Sequence, residues 1–221
     1  PRCSAALNAR VDALSWHLYF ATTGPTAMAD ALQAAGRAVT VDRNDALAWR
    51  GRGWLLFVGG KLAEAMADLE SSLELNPNDA ITLARLGMFE ALSGDPVGGV
   101  QRCMQAIRLS PRDPALFHLL ANLQWAQFAA RAYDDAIDTA RQSLREADFA
   151  GTRLCLVLSL VGAGDAARAA DELRALREQA PDMVAARQGG VWLAGDPEVR
   201  GREAAFFDVA LQRLNAMERR G

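Results

Sequence analysis

Lysine is almost missing from this chain: Lys61 is the only one among 24 basic residues, and the rest are arginine. The 27 acidic residues leave a formal charge of −3, so the positive surplus that neutralises a row of phosphates is absent, which argues against nucleic acid as a direct ligand. Cysteine is scarce as well. Cys3, Cys103 and Cys155 are far apart and odd in number, which suits a reducing compartment better than a disulfide framework and makes the cytoplasm the expected location. Long apolar runs are lacking. The longest stretch without a formal charge, residues 114–130, is interrupted by His118, Asn122, Gln124 and Gln127 and falls short of the roughly 18–20 consecutive apolar residues of a membrane span. No membrane association is expected. The first residues show no basic region, apolar run or cleavage site, and Pro1 stands where an initiator methionine would, so the chain reads as a segment of a longer protein. Isoleucine occurs only at Ile81, Ile107 and Ile137, and no long stretch alternates apolar with polar residues, so the signals of a sheet are missing.

What is present points to helices. Hydrophobic residues make up 51% of the 221 positions and charged ones 23%, a balance that excludes disorder as the main state. A chain of this length buries roughly 70% of its unfolded surface, so packing alone can hold it together. Alanine, leucine, arginine and glutamate dominate, and turn signals divide the chain into helix-length segments. They include Gly59-Gly60, Asn76-Pro77, Ser93-Gly94-Asp95-Pro96, Ser110-Pro111, Gly162-Ala163-Gly164-Asp165, Ala180-Pro181 and Gly195-Asp196-Pro197.

The spacing of these signals is periodic. Pro77 and Pro111 are 34 residues apart, as are Gly53, Gly87 and Ala121, and Ala31, Ala65 and Gly99. A unit of two helices with small residues at their crossing and a proline after the second resembles the tetratricopeptide repeat. One copy offers Trp49, Gly53, Leu56, Ala65, Leu69 and Pro77, and the next Leu83, Leu86, Gly87, Gly99, Cys103, Ala106 and Pro111. A third copy, 114–149, is stretched by three residues before Tyr133, and a fourth, 151–181, keeps Gly164, Ala169, Leu173 and Pro181. The resemblance implies an all-α, right-handed superhelix of about five hairpins over residues 1–182, the first spanning roughly 4–41. Residues 183–221 are expected to form capping helices: a short one over 183–193, and a last amphipathic one over 203–219 after a start signal at Gly195-Asp196-Pro197-Glu198. Its apolar stripe is expected to be Ala205, Phe206, Val209, Leu211 and Leu214, with Arg202, Asp208, Arg213 and Glu218 facing elsewhere. Such a helix can cap the last hairpin, fill the groove or pair two chains, and capping is the first expectation because it covers the faces of Leu156 and Leu160.

The order of parts, with Leu14-Ser15-Trp16-His17-Leu18-Tyr19 in a long first helix and a Gly-Asp-Pro tail, is also similar to the C-terminal repeat region of bacterial multidomain regulators. Those carry a class III adenylate cyclase or a winged-helix DNA-binding domain. That likeness implies a signalling role and an N-terminal effector domain on the same polypeptide as a candidate partner, and its activity would belong to the parent chain.

Few residues suggest chemistry. Residues 154–161 followed by Gly162-Ala163-Gly164-Asp165-Ala166-Ala167 imitate a strand and a dinucleotide-binding loop, but Gly164 falls in the repeat frame at a turn between helices. His17 and His118 lack metal-ligand neighbours, Cys103 and Cys155 sit in apolar helical patterns, and Asp134-Asp135 and Asp171-Glu172 begin or line helices. No catalytic residue, cofactor or metal is therefore expected, and neither is a buried cluster of titratable groups; an enzyme of an unrecognised all-α type stays the competing reading. The remaining candidate is a surface. On the first helix of successive hairpins, residues at i, i+4 and i+7 share a face: Arg50, Trp54 and Phe57; Ala84, Met88 and Ala91; His118, Asn122 and Trp125; Leu154, Leu158 and Val161. In the tetratricopeptide family this line faces the concave wall. Arg50, Trp54, Phe57, Arg85, Met88, His118, Asn122 and Trp125 are thus candidates for a groove that takes a protein, a peptide or an amphipathic helix. The aromatic members alternatively belong to the core between hairpins, and homodimerisation is left open.

Overall fold

The structure, a computed structural model, describes residues 25–192 and 194–219. Among these residues all regular structure is helical. Helix α1 (Pro25–Val41) precedes four hairpins: α2 (Ala46–Val58) with α3 (Leu62–Leu75), α4 (Ala80–Leu92) with α5 (Pro96–Leu109), α6 (Leu116–Ala129) with α7 (Tyr133–Glu146), and α8 (Ala150–Gly162) with α9 (Ala166–Gln179). Two further helices, α10 (Pro181–Gln188) and α11 (Pro197–Glu218), complete the chain. Each hairpin packs on the next, and α4, α6 and α8 stand side by side, giving an all-α superhelix of the tetratricopeptide type. The first half of the expected first hairpin lies outside the described residues.

Local sequence explains where the helices start and turn. Asp45, Asp79 and Asp196 accept hydrogen bonds from the second and third amides of the helices that follow them, and Asp95 and Asp165 each accept one, satisfying donors that a helix start leaves open. Between the two helices of each hairpin one residue takes a left-handed conformation: Gly60, Gly94, Arg131 and Gly164. Three are glycine, for which this costs little, whereas Arg131 at φ 61° stores strain that the rest of its hairpin must hold. Residues 154–161 lie in α8 and Gly164 lies in this turn, so the apparent strand and phosphate loop are a helix and its C-terminal bend.

The small residues sit where helices cross. A Cβ on Gly87 would lie 2.7 Å from the Gly99 carbonyl oxygen and 2.9 Å from Cys103 Sγ, and one on Gly53 would lie 3.0 Å from the Ala65 carbonyl oxygen. Neither backbone position has room for a side chain.

Counting back seven residues from each left-handed turn recovers Gly53 and Gly87, but the third copy then gives Gln124 and not Ala121. The 34-residue frame slips here because the segment before α6 is longer and α6 has 14 residues where α2 and α4 have 13. The extra length therefore enters mainly ahead of α6. Two serines confirm the new register: Ser72 Oγ donates to the Ala46 carbonyl, and Ser143 Oγ donates to the Phe117 carbonyl, each across 26 residues. In that register Trp125 is the counterpart of Trp54 and Met88.

The tail departs further from expectation. Helix α10 ends at Gln188, where Gly189 and a left-handed Gly190 stop it, so it does not run to residue 193. Helix α11 begins at Pro197, six residues early, and the face it buries is Val199, Glu203, Phe207, Ala210 and Leu214. Ala205 and Val209 are exposed, and Phe206 and Leu211 are half-buried. The expected stripe was rotated because a glutamate in the middle of the true face reads as a solvent position.

Helix α11 packs on α8 and α9, and Phe207 joins the continuous core that runs from Leu56 to Leu214. Its start also reaches back across the repeats. The Asp196 amide donates to the Leu92 carbonyl at 2.8 Å, and Arg202 donates to the Phe128 and Ala129 carbonyls and to Tyr133. Arg131 pairs with Glu198, and Phe206 stacks edge-on against Phe128 and Tyr133. Arg202 was expected to face away from the protein; its charge instead satisfies carbonyls that the end of α6 leaves open.

Candidate functional site

The inner helices α2, α4 and α6 and the tail enclose one cavity of about 260 Å³. From α2 it is lined by Arg50, Trp54 and Phe57, and from α4 by Arg85 and Met88. Helix α6 adds His118, Asn122 and Trp125. The structure thus brings all eight groove candidates to one place. Ala84, Ala91, Leu154 and Leu158 are instead fully buried and do not line it, so of those two triplets only Met88 reaches the cavity.

The aromatic groups belong both to the core and to the cavity wall. Phe57 stacks on Phe89 with ring centres 4.3 Å apart, and Trp54 lies 5.4 Å from Phe57. The Arg85 guanidinium sits over the Trp54 ring, 4.7 Å from its centre. Arg50 is held by Asp79 at 2.7 Å. Burial pushes the Asp79 carboxyl up, but the Arg50 charge and the hydrogen bonds from Thr82 and Arg50 outweigh it and hold the group below the usual carboxylate range. His118 lies between Phe117 and Phe149; burial, reinforced by the Arg85 charge, lowers it to about 4, so its imidazole is neutral at pH 7. Asn122 donates to the carbonyl of His118 one turn back, at 2.7 Å.

Eight lining residues were not among the groove candidates: Gly51, Ile81, Leu92 and Ala121, which neighbour the candidates on α2, α4 and α6, and four from further along the chain, Phe149, Arg187, Trp192 and Glu203. Phe149 directly precedes α8 and was placed only as a repeat boundary. The other three come from the tail, which no repeat frame reaches. Arg187 is buried, donates to the Val191 carbonyl and lies 5.4 Å from the centre of the Trp192 ring. Trp192 meets Phe207 edge-on. Glu203 is 2% exposed, and its Oε2 has no hydrogen-bond partner among the described residues. Burial raises its carboxyl to about 7, against the attraction of Arg187, Arg200 and Arg202 and a hydrogen bond from the Ala194 amide. The expectation of no buried titratable cluster is therefore corrected, since Arg187, Glu203 and His118 share this cavity. Their assembly needs residues 118 and 203, which only the fold brings together.

Elsewhere, Cys103 and Cys155 are buried, and desolvation pushes both thiols far up, so neither is a thiolate. Asp134 and Asp135 lie in the first turn of α7, and Glu172 pairs with Arg153. Among the described residues no three histidine, cysteine or carboxylate side chains converge as metal ligands, and no helix is long and apolar enough to cross a membrane. Cys3 and His17 lie outside the described residues.

No family model matches the sequence, and no curated protein matches it significantly. Solved structures do match. The chain is similar to Cut9 in the structure of the anaphase-promoting-complex hetero-tetramer Cut9-Hcn1, with 16% identity and a TM-score of 0.62 over 85% of this chain; it spans 39% of that chain. It is similar to PilW, a type IV pilus biogenesis factor, with 15% identity and a TM-score of 0.61 over 96% of this chain and 98% of the other. The Pseudomonas aeruginosa protein PilF gives 18% identity and a TM-score of 0.56 over 95% and 92%. At these identities the likeness is one of fold: the chain is built as a tetratricopeptide solenoid whose tail closes one cavity against its inner helices.

Proposed function

We propose that this chain is a non-catalytic interaction module whose inner face grips a segment of a protein partner. The observation that carries this reading is the convergence of the eight groove residues on one aromatic cavity. Its size also narrows the mode of binding. A helix is about 10–12 Å across with its side chains, so about 260 Å³ accommodates anchoring side chains and not a whole helix. The partner presents an apolar anchor from a peptide or from one edge of an amphipathic helix, and the tail forms part of the receiving wall. The competing enzyme reading draws on Glu203, a buried carboxyl near neutrality. Among the described residues, however, the lining offers no serine, threonine, cysteine, lysine or tyrosine beside it. A binding site needs none of these.

An effector domain on the same polypeptide is one source of such a segment, in keeping with the likeness to multidomain regulators. A cytoplasmic setting fits the two buried free thiols. The test is a peptide library displayed against the intact chain, followed by binding measurements on Met88→Glu. Selected peptides are expected to lose at least tenfold in affinity, because a charge enters a buried apolar wall. Failure to enrich any peptide, or equal binding to the variant, would overturn the reading.

A further inference from the structure

Helix α1 breaks the pattern of the outer helices at its start. α3, α5, α7 and α9 each carry a buried small residue at their fourth position, Ala65, Gly99, Ala136 and Ala169, ten residues before the helix ends. The matching residue of α1 is Ala31, buried and also ten residues before the end, but it is the seventh of its helix, so α1 starts almost a full turn early. The usual bend does not suit such a start. In all four hairpins the left-handed residue stands two positions before the outer helix, at Gly60, Gly94, Arg131 and Gly164. Two positions before α1 stands Thr23, whose β-branched side chain strongly disfavours that conformation. The crossing does not suit it either. Twelve residues before the small residue the hairpins bury Gly53, Gly87, Gln124 and Val157, whereas twelve before Ala31 stands Tyr19, a ring at a place where Gly53 and Gly87 leave no room for any side chain.

A segment that does not suit the repeat needs other cover, because it is apolar. No formal charge lies between Asp12 and Asp30, and Trp16, Tyr19 and Phe20 are spaced i, i+3 and i+4, a spacing that gathers all three rings on one side of a helix. Such a patch left in water favours association. The cavity is within its reach. The first turn of α1 packs Ala27 and Met28 against Leu55 and Val58 at the end of α2, and Phe57 in that same turn lines the cavity. Residues 21–24 span about 13 Å when extended, more than the roughly 8–10 Å between packed helix axes. We propose that residues 14–20 of this chain occupy the cavity, with Trp16, Tyr19 and Phe20 as anchors, so that the protein carries an internal competitor for the partner segment. The competition rests on the groove reading above; the internal contact stands or falls by itself.

The contact is tested in the full chain with a nitroxide on Ser15→Cys and with Cys3→Ser; Cys103 and Cys155 are buried and escape the label. The indole N–H resonances of Trp125 and Trp192, which line the cavity from α6 and the tail, are expected to broaden. Broadening confined to Trp49 and Trp54 on α2 shows the segment stacked as one more repeat helix and overturns the proposal. So does broadening carried between chains in a mixture of spin-labelled and isotope-labelled protein, which assigns the contact to a second copy. The competition is tested with a synthetic peptide of residues 12–22. It should bind the chain carrying Trp16→Ala and Tyr19→Ala, checked for an unchanged circular dichroism spectrum, at least tenfold more tightly than the native chain, where the tethered segment acts at an effective concentration near millimolar. Equal affinity for both chains overturns the proposal. Library peptides that depend on Met88 yet bind both chains equally would refute the internal competitor and leave the groove reading intact. Broadening at Trp125 and Trp192, with no library peptide binding the double variant, would support the internal contact and refute the groove reading.

Discussion

The hairpins from α2 to α9 and the tail from α10 to α11 are built of the same helices but by different rules. In the repeats each element touches its sequence neighbours, and close crossings at Gly53 and Gly87 recur with the period. The tail answers to positions far away: residue 196 bonds to residue 92, residue 202 to residues 128 and 129, and Glu218 pairs with Arg177. Local contacts make the first region regular. Distant ones make the second irregular, and they convert an open row of inner helices into a cavity.

Removing residues 197–221 should break this contrast most severely. It uncovers α8 and α9, deletes Phe207 and Leu214 from the core and removes Glu203 from the cavity. Loss of one buried phenylalanine alone costs about 3–5 kcal/mol. The truncated chain is expected to melt far lower and to associate, as read by calorimetry and light scattering, and Trp54 and Trp125 should shift in fluorescence because their cavity opens. An unchanged melting temperature would show that the repeats need no cap.

Within the repeats a large single effect is expected at Gly87→Leu, where the side chain meets the Gly99 backbone and Cys103 at once. Overpacking of this kind costs about 3 kcal/mol or more, since the obstacle is backbone. Gly53→Leu should follow slightly behind, its nearest obstacle being 3.0 Å away against 2.7 Å. Thermal melts of both variants rank the two crossings.

The cavity joins the two regions, and its pH response separates their contributions. Glu203, raised to about 7 from 4.5, favours the folded chain at low pH, and its contribution is lost as the pH climbs from 4.5 through 7. His118, lowered to about 4 from 6.5, behaves oppositely, and its contribution is lost as the pH falls from 6.5 through 4. Each amounts to about 3 kcal/mol over its window, at 1.36 kcal/mol per unit, so in the native chain the slopes nearly cancel between pH 4.5 and 6.5. Glu203→Gln should reveal rising stability from pH 4 to 6.5, and His118→Phe falling stability from pH 4.5 to 7. Urea melts across this range check both signs; parallel profiles for the two variants would contradict the assignment.

The smallest effect tests one tie of the tail. Arg202→Met keeps an unbranched apolar stem but removes the bonds to the Phe128 and Ala129 carbonyls, with an expected loss of about 2 kcal/mol. Amide hydrogen exchange should then quicken at the end of α6 before it does in α4.

How much of this was legible in the sequence follows from the same division. Gly53, Gly87, Ala65 and Gly99 announced helix crossings because a repeat writes the same steric demand every 34 residues. Trp54, Met88 and Trp125 could be placed on an inner face because a helix fixes which side chains share a side. The frame failed at Ala121, where a longer segment before α6 shifts the register, and only the turn at Arg131 and the bonds of Ser72 and Ser143 reveal the true counterpart. It failed again at Glu203, because a charged residue on a buried face contradicts the pattern used to find that face.

The sequence by itself therefore determined the all-α repeat, its hairpin turns and the inner-face residues, since each depends on neighbours within one hairpin or the next. The tertiary structure alone decided that α11 turns back over the ends of α4 and α6, and that Arg187, Trp192 and Glu203 complete the cavity. Those contacts join residues about 70 to 150 positions apart through carbonyls, charges and packing that no local periodicity encodes.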